Sequence, residues 1–205
     1  MSAKLFATAG ELGSSTLFEA SGLRCALDRN IRPICPGLLL VGEAYPLSCA
    51  PGDNLAIHIA LEKAPANSVL VVDASGFVAG YWGEVLTVAA QARNIAGLVM
   101  DGGVRDIAAM NKRNFPVFTR GISVQGTVKQ RFNSVGETIQ ISDCGISQGD
   151  LVVADDDGVV IIPKAHIERV VQAGKARADK EALMMDKLGA GATTIELLGL
   201  QKWRQ

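Results

Sequence analysis

Tyr81-Trp-Gly-Glu-Val-Leu86 followed by Gly97-Leu-Val-Met-Asp-Gly-Gly-Val-Arg-Asp106 is the most informative stretch of the chain for its fold. Each half sets a glycine-containing loop after a strand and before a helix. In the first half, Phe77–Gly83 is a loop rich in glycine and aromatics. Glu84–Asn94 then repeats apolar residues at i, i+3, i+4 and i+7 (Val85, Val88, Ala89, Ala92), one face of a helix. In the second, Gly97–Asp101 reads as a strand, Gly102-Gly103 as a turn, and Val104, Ile107 and Ala108 as the start of a short helix. Strand, loop and helix in alternation predict an α/β or α+β chain, and α/β is the class expected here.

The pattern continues on both sides. A helix is expected over Ser14–Ser21, and strands over Gly37–Val41, Val69–Asp73 and Pro116–Thr119. Pro51-Gly-Asp53-Asn54 is a turn able to cap a helix running to Lys63, which Ala64-Pro-Ala-Asn67 closes. Thr138–Ser142, Leu151–Ala154 and Gly158–Ile162 read as strands, with Gly145–Asp150 as a connection and Asp155-Asp-Asp-Gly158 as a hairpin turn. Lys164–Leu188 has helical spacing, and Gly189-Ala-Gly191 stops it. Leu197, Leu198, Leu200 and Trp203 remain in an apolar arm suited to a neighbouring subunit. With no repeat or linker, residues 1–205 read as one domain.

Composition narrows the chemistry. The 205 residues carry 20 Lys+Arg against 21 Asp+Glu, a net charge of −1, which argues against nucleic acid as the main ligand. Two histidines (His58, His166) and four dispersed cysteines without a C-x-x-C pair leave oxygen as the main donor for any metal. No apolar run reaches the ~18 residues of a membrane span, and the first residues lack a signal-peptide pattern. A cytoplasmic protein with reduced thiols is expected.

Three features could carry chemistry. Amides at the start of the Glu84 helix suit a carboxylate or phosphate, because a helix N-terminus presents unpaired N–H groups and a positive dipole end. Gly83 permits close approach, and Glu84 at a first helical position is favourable simply as an acid near that end. Arg105 is a planar donor fork for a carboxylate or an enolate oxygen, and Asp106 is a hard ligand for a divalent cation. Successive helical residues diverge by about 100°, so both can face one cavity only from a loop or a first turn.

These stretches, with Pro51-Gly-Asp-Asn-Leu55, Val71-Val-Asp73, Pro116-Val-Phe118, Gly149-Asp150 and Asp156-Asp-Gly-Val-Val160, resemble the class II 4-hydroxy-4-methyl-2-oxoglutarate / 4-carboxy-4-hydroxy-2-oxoadipate aldolases and the related regulators of ribonuclease activity A. The resemblance covers about Gly37 to Leu200. It implies a swivelling β/β/α domain resembling the phosphohistidine domain, with a C-terminal helix and arm, assembled as a homotrimer or homohexamer. It also implies that backbone amides of Gly83, Glu84, Val85 and Leu86 hold a pyruvyl carboxylate, that Arg105 contacts the keto oxygen, and that Asp106 ligates Mg²⁺ or Mn²⁺. Glu84 would act through metal-bound water. The implied reaction is metal-dependent cleavage of hydroxylated 2-oxo acids to pyruvate, with oxaloacetate decarboxylation as a side activity. The alternative is a non-enzymatic regulator that binds a ribonuclease; retention of Asp106 and the Gly83–Leu86 loop favours the enzyme. Elsewhere, His58 reads as a satisfied core or surface residue, His166 as solvated, Lys129 as a surface or interface charge, and Asp155–Asp157 as a solvated turn tip.

Overall fold

The computed structural model describes residues 3–204; Met1, Ser2 and Gln205 of the expected 1–205 unit lie outside them. The fold is mixed α/β. Its centre is four parallel strands, β2 (Leu40–Ser48), β3 (Ser68–Asp73), β4 (Gly97–Val104) and β5 (Val117–Ile122). Two helices, α2 (Leu55–Lys63) and α3 (Glu84–Ala92), make the crossovers between the first three, and α4 (Ile107–Lys112) leads into the fourth. All eight residues of β4 are buried, as are the first five of β3. This explains why they read as continuous apolar runs: a parallel sheet is covered on both faces.

Alternation along each strand sorts the two faces. Leu70, Val72, Leu98 and Met100 pack with Ile57, Ala60 and Leu61 of α2 and Leu86 and Ala90 of α3. Val69, Val71, Val99 and Phe118 point the other way. There they meet Val152 and Ala154 of β9 (Leu151–Asp155), Val159 and Ile161 of β10 (Gly158–Ile162), and the small hairpin of β7 (Ile139–Ile141) and β8 (Cys144–Ile146). The sheet runs from β1 (Arg32–Pro33) through β5, β4, β3, β2 and β9 to β10, with β6 (Ser134–Val135) also pairing β2. It curls until one stretch of chain bridges its two outer strands. Cys25 and Leu27 bond to Ile161 and Val159 of β10 at 2.8 and 2.9 Å, and β1 then pairs with β5. The result is a nearly closed barrel.

A third core lies outside it, where α1 (Ala3–Ser21) and α5 (Ile167–Gly189) cover β9 and β10 through Leu17, Val153, Ile162, Val170 and Val171. Beyond Gly174 no described residue of α5 is buried, and the arm that follows, with α6 (Thr194–Leu197), leaves Leu198 and Trp203 exposed.

Several expectations need correction. Gly102-Gly103 is no turn: both lie inside β4, where one extra residue bulges between Met100 and Gly103. They are glycines because the loop after β3 presses on the strand; a Cβ at Gly102 would sit 2.9 Å from Ala74 Cβ, and one at Gly103 2.6 Å from the Ala79 carbonyl. The strand expected from Gly37 begins at Leu40 and continues through Pro46 to Ser48. Pro46 falls between the β9 pairing, which ends at Glu43, and the β6 pairing, which begins at Leu47, so its missing N–H breaks no ladder bond. The first helix starts near Ala3 but is broken at Gly13 (φ 76°). Its second segment begins at Ser14, whose N–H and hydroxyl donate to Asp155 at 2.7 and 2.6 Å. The acidic turn is therefore not merely solvated: Asp157 accepts from Ser15 and Asp156 from the Gly37 amide. Finally, β8 occupies part of the expected Gly145–Asp150 connection.

Candidate functional site

The loop ahead of α3 is fixed by its two aromatic residues. Trp82 is fully buried, stacks on Phe115 at 6.0 Å between ring centroids, and donates its indole N–H to Thr87 Oγ1 at 2.8 Å. Tyr81 Oη accepts the Gly52 N–H at 2.6 Å and donates to the Ala50 carbonyl at 3.3 Å, tying the loop to the turn before α2. A parallel bridge joins Trp82 to Val104, and the Arg105 N–H donates to the Trp82 carbonyl at 2.8 Å. The Tyr81–Leu86 and Gly97–Asp106 stretches thus lie side by side.

Here the chain leaves β4 and Asp106 turns left-handed (φ 58°, ψ 39°), a conformation that, glycine aside, Asn and Asp tolerate best. Asp106 does not cap its own helix α4. Its carboxylate crosses to α3 and accepts the Glu84 N–H at 3.1 Å, with Arg105 Nε 3.8 Å away. Gly83 permits this approach: its φ of −164° is ordinary extended backbone, but a Cβ there would collide with the Asp106 carboxylate. The helical ladder begins with the Thr87 N–H donating to the Gly83 carbonyl at 3.1 Å. The amides of Gly83, Glu84, Val85 and Leu86 therefore lie ahead of it, and Asp106 engages that of Glu84.

A cavity of about 250 Å³ opens at this point. Gly83, Val85, Leu86, Arg105 and Asp106 line one part of it, Asn54 and His58 of the α2 start another, and Gly126, Thr127 and Lys129 its lip. Asp53 holds that lip in place: its carboxylate accepts the Leu55 N–H at 2.9 Å and the Gln130 and Arg131 N–H groups at 2.7 Å each. Burial alone would raise the Asp53 pKa, but these three amides, with the Arg131 charge, hold it below the usual carboxylate value.

The structure brings Arg105, Asp106 and the Gly83–Leu86 backbone together. It does not bring the Glu84 side chain, whose carboxylate pairs with Arg113 at the end of α4 (2.7 and 3.1 Å). Three lining residues depart from what their local sequence suggests. Asn54 lies at the start of α2 without a side-chain cap bond; its Nδ2 donates to the Tyr81 carbonyl at 2.9 Å, and its Oδ1 has no partner. His58 is not satisfied either, since its buried Nε2 has no partner. Burial first, then the Lys129 charge, pushes the His58 pKa down. Lys129, expected as a surface or interface charge, lines the cavity. The one sequence signal for Asn54 and His58 is their spacing, one helical turn apart just after a Pro-Gly turn.

Among the described residues Asp106 is the lone carboxylate lining the cavity, and no group of three or more His, Cys, Asp or Glu side chains could hold a metal. This donor set suits Mg²⁺, which commonly takes one or two carboxylates and completes its shell with water and substrate oxygens. Among the described residues no cysteine lines the cavity; Cys25, Cys49 and Cys144 are buried elsewhere, and burial pushes the Cys49 thiol up to about 12 and that of Cys144 to about 11. Among the described residues no helix is long and apolar enough to cross a membrane.

A sequence model of the RraA-like family, described as Aldolase/RraA, matches residues 11–161. A protein of Halalkalibacterium halodurans, provisionally named a 4-hydroxy-4-methyl-2-oxoglutarate aldolase, is 38% identical over 158 residues, 76% of this chain and 75% of its own length. The crystal structure of an uncharacterised protein from Pseudomonas syringae pv. tomato superposes with a TM-score of 0.86 at 29% identity, covering 94% of this chain and 92% of that one. Streptomyces coelicolor RraAS2, described as an unusual member of the RNase ES inhibitor RraA family, shares the fold with a TM-score of 0.80 at 24% identity, over 91% of this chain and 98% of its own. The family match spans most of the sequence that builds both the barrel and the cavity, and the chain belongs to the RraA-like (Aldolase/RraA) family.

Proposed function

We propose that residues 1–205 form one catalytic domain, a class II aldolase that cleaves hydroxylated 2-oxo acids of the 4-hydroxy-4-methyl-2-oxoglutarate type to pyruvate and a second carbonyl compound. The carrying observation is the convergence of Arg105, Asp106 and the α3 N-terminus on one cavity. The amides of Gly83, Val85 and Leu86 suit the carboxylate of the 2-oxo acid. Arg105 supplies donors for the keto oxygen as it gains charge, and donors so placed are worth about 10²–10³ in rate. Asp106 would hold Mg²⁺ or Mn²⁺, which when bound supplies Lewis-acid polarisation of the 2-oxo group. Glu84, engaged by Arg113, acts in this reading through its backbone amide and by positioning α3 against α4. Oxaloacetate would lose CO₂ at the same site, because its decarboxylation leaves the same pyruvate enolate.

Val85 at the cavity and Val128, beside its lip residues, are exposed, which supports a homotrimer or homohexamer in which a neighbour covers them; a cytoplasmic location is part of the same proposal. The test is pyruvate release from a series of hydroxylated 2-oxo diacids, with Mg²⁺, with Mn²⁺ and with EDTA. Metal-dependent release that Asp106→Ala abolishes is the expected result. Full activity in EDTA, or an active Asp106→Ala protein, refutes the reading. Tight binding to a ribonuclease with no release from any substrate would replace it with the regulator reading.

A further inference from the structure

The anion at the α3 N-terminus is the chain's own Asp106. Its Oδ2 accepts the Glu84 N–H at 3.1 Å and stands 3.8 Å from Arg105 Nε. A Cβ built on Gly83 would fall on that same oxygen. One carboxylate oxygen therefore lies against two of the four residues whose amides precede the helical ladder. Gly83 and Val85, on either side of Glu84, line the cavity together with Asp106. The Asp106 side chain is 43% exposed, so a small solute can reach it.

This placement sets a cost on any second anion. A helix N-terminus carries the equivalent of about half a positive charge, which the full negative charge of Asp106 already balances. An acid whose carboxylate takes the Gly83, Val85 and Leu86 amides would stand beside that charge. Like unit charges about 4 Å apart weaken binding about tenfold, even where solvent screens them well. Arg105 lowers the cost only in part, because its guanidinium is shared between the two anions. With a divalent cation held, Asp106 would present a net charge of about +1 in place of −1, and repulsion would become attraction.

We propose that Asp106 is an electrostatic gate on the α3 amides, which makes its cation a condition for binding the 2-oxo acid and not only for cleaving it. This rests on the aldolase reading and adds an order of binding to it: cation first, acid second.

The experiment measures pyruvate affinity of the intact protein, in metal-free buffer and in saturating Mg²⁺, by saturation-transfer NMR on the pyruvate methyl group. Wild-type protein is expected to bind at least tenfold more tightly with Mg²⁺. Asp106→Asn keeps an acceptor for the Glu84 amide and removes the charge. In metal-free buffer it should bind pyruvate about tenfold more tightly than wild type, and Mg²⁺ should add nothing. Asp106→Ala should behave alike and decides the matter if the first variant does not fold. Pyruvamide, which lacks the charge, should gain nothing in either variant. A variant that binds pyruvate no better than metal-free wild type overturns the gate, as does an equal gain for pyruvamide. Metal-free wild type that binds as tightly as with Mg²⁺ overturns it too. If wild type binds only with Mg²⁺ and the variants bind in neither condition, the aldolase reading stands and the gate alone fails. If pyruvate binds none of the proteins in either buffer, the aldolase reading falls and takes this inference with it.

Discussion

At Gly83 a single methyl group should separate the fold from the chemistry. An alanine there meets no backbone objection, because φ is −164° and extended conformations suit any residue. The objection is space: the new Cβ falls on the Asp106 carboxylate and lies 3.1 Å from Arg105 Cγ. The cheapest relief is rotation of Asp106, which gives up the 3.1 Å bond from the Glu84 N–H. Because Asp106 is 43% exposed in its side chain, that bond and its contribution at the helix terminus together amount to about 1 kcal/mol. For a chain of this size the expected drop in Tm is about 2–4 °C. Turnover should suffer far more, since displacing a catalytic group by about 1 Å costs about 10²-fold. Differential scanning calorimetry and a coupled pyruvate assay on Gly83→Ala read both quantities. Wild-type turnover would refute the argument from close approach. A Tm loss above about 10 °C, equivalent to several kcal/mol, would show that Gly83 serves the fold and not the site.

Two further outcomes follow from the cavity lip. Asp53 has a depressed native pKa, so its contribution to stability is complete above the unfolded value of about 3.9 and is lost as pH falls through the lower native value. Hydrogen exchange should therefore show the Gln130 and Arg131 amides losing protection on acidification before β3 and β4 do, and Asp53→Asn should flatten that acid response; uniform protection down to global unfolding contradicts this. Lys129→Gln should raise KM several-fold for substrates with a second carboxylate while sparing those without one, as steady-state kinetics on matched pairs would show. Equal effects on both would remove Lys129 from substrate recognition.

Elements with a strong local signal are legible in the amino-acid order. β3 and the core of β4 can be read because unbroken apolar runs are what a doubly covered parallel sheet needs. α2, α3 and α5 can be read because their faces repeat at helical spacing and their ends carry turn residues. Gly102-Gly103 misleads because a turn glycine and a glycine under a packed loop look identical in sequence; only Ala74 and Ala79 tell them apart. Pro46 hides the length of β2 for a similar reason, since what excuses it is the gap between two pairing partners distant in the chain.

The α/β class, the four loop residues at the start of α3, and the adjacent Arg105 and Asp106 are properties of the sequence alone, because each is written in consecutive residues. Which groups share the cavity is settled only by tertiary packing. Packing withdraws the Glu84 carboxylate to Arg113 and brings in Asn54, His58 and Lys129 from segments far apart in the chain. It also gives Asp53 the task of holding the lip, through amides at Gln130 and Arg131, 77 and 78 residues away. One cause underlies all of these. A helix start or an apolar period is a local property of the chain, whereas an unpaired acceptor or an ion pair exists only once distant segments are packed against each other.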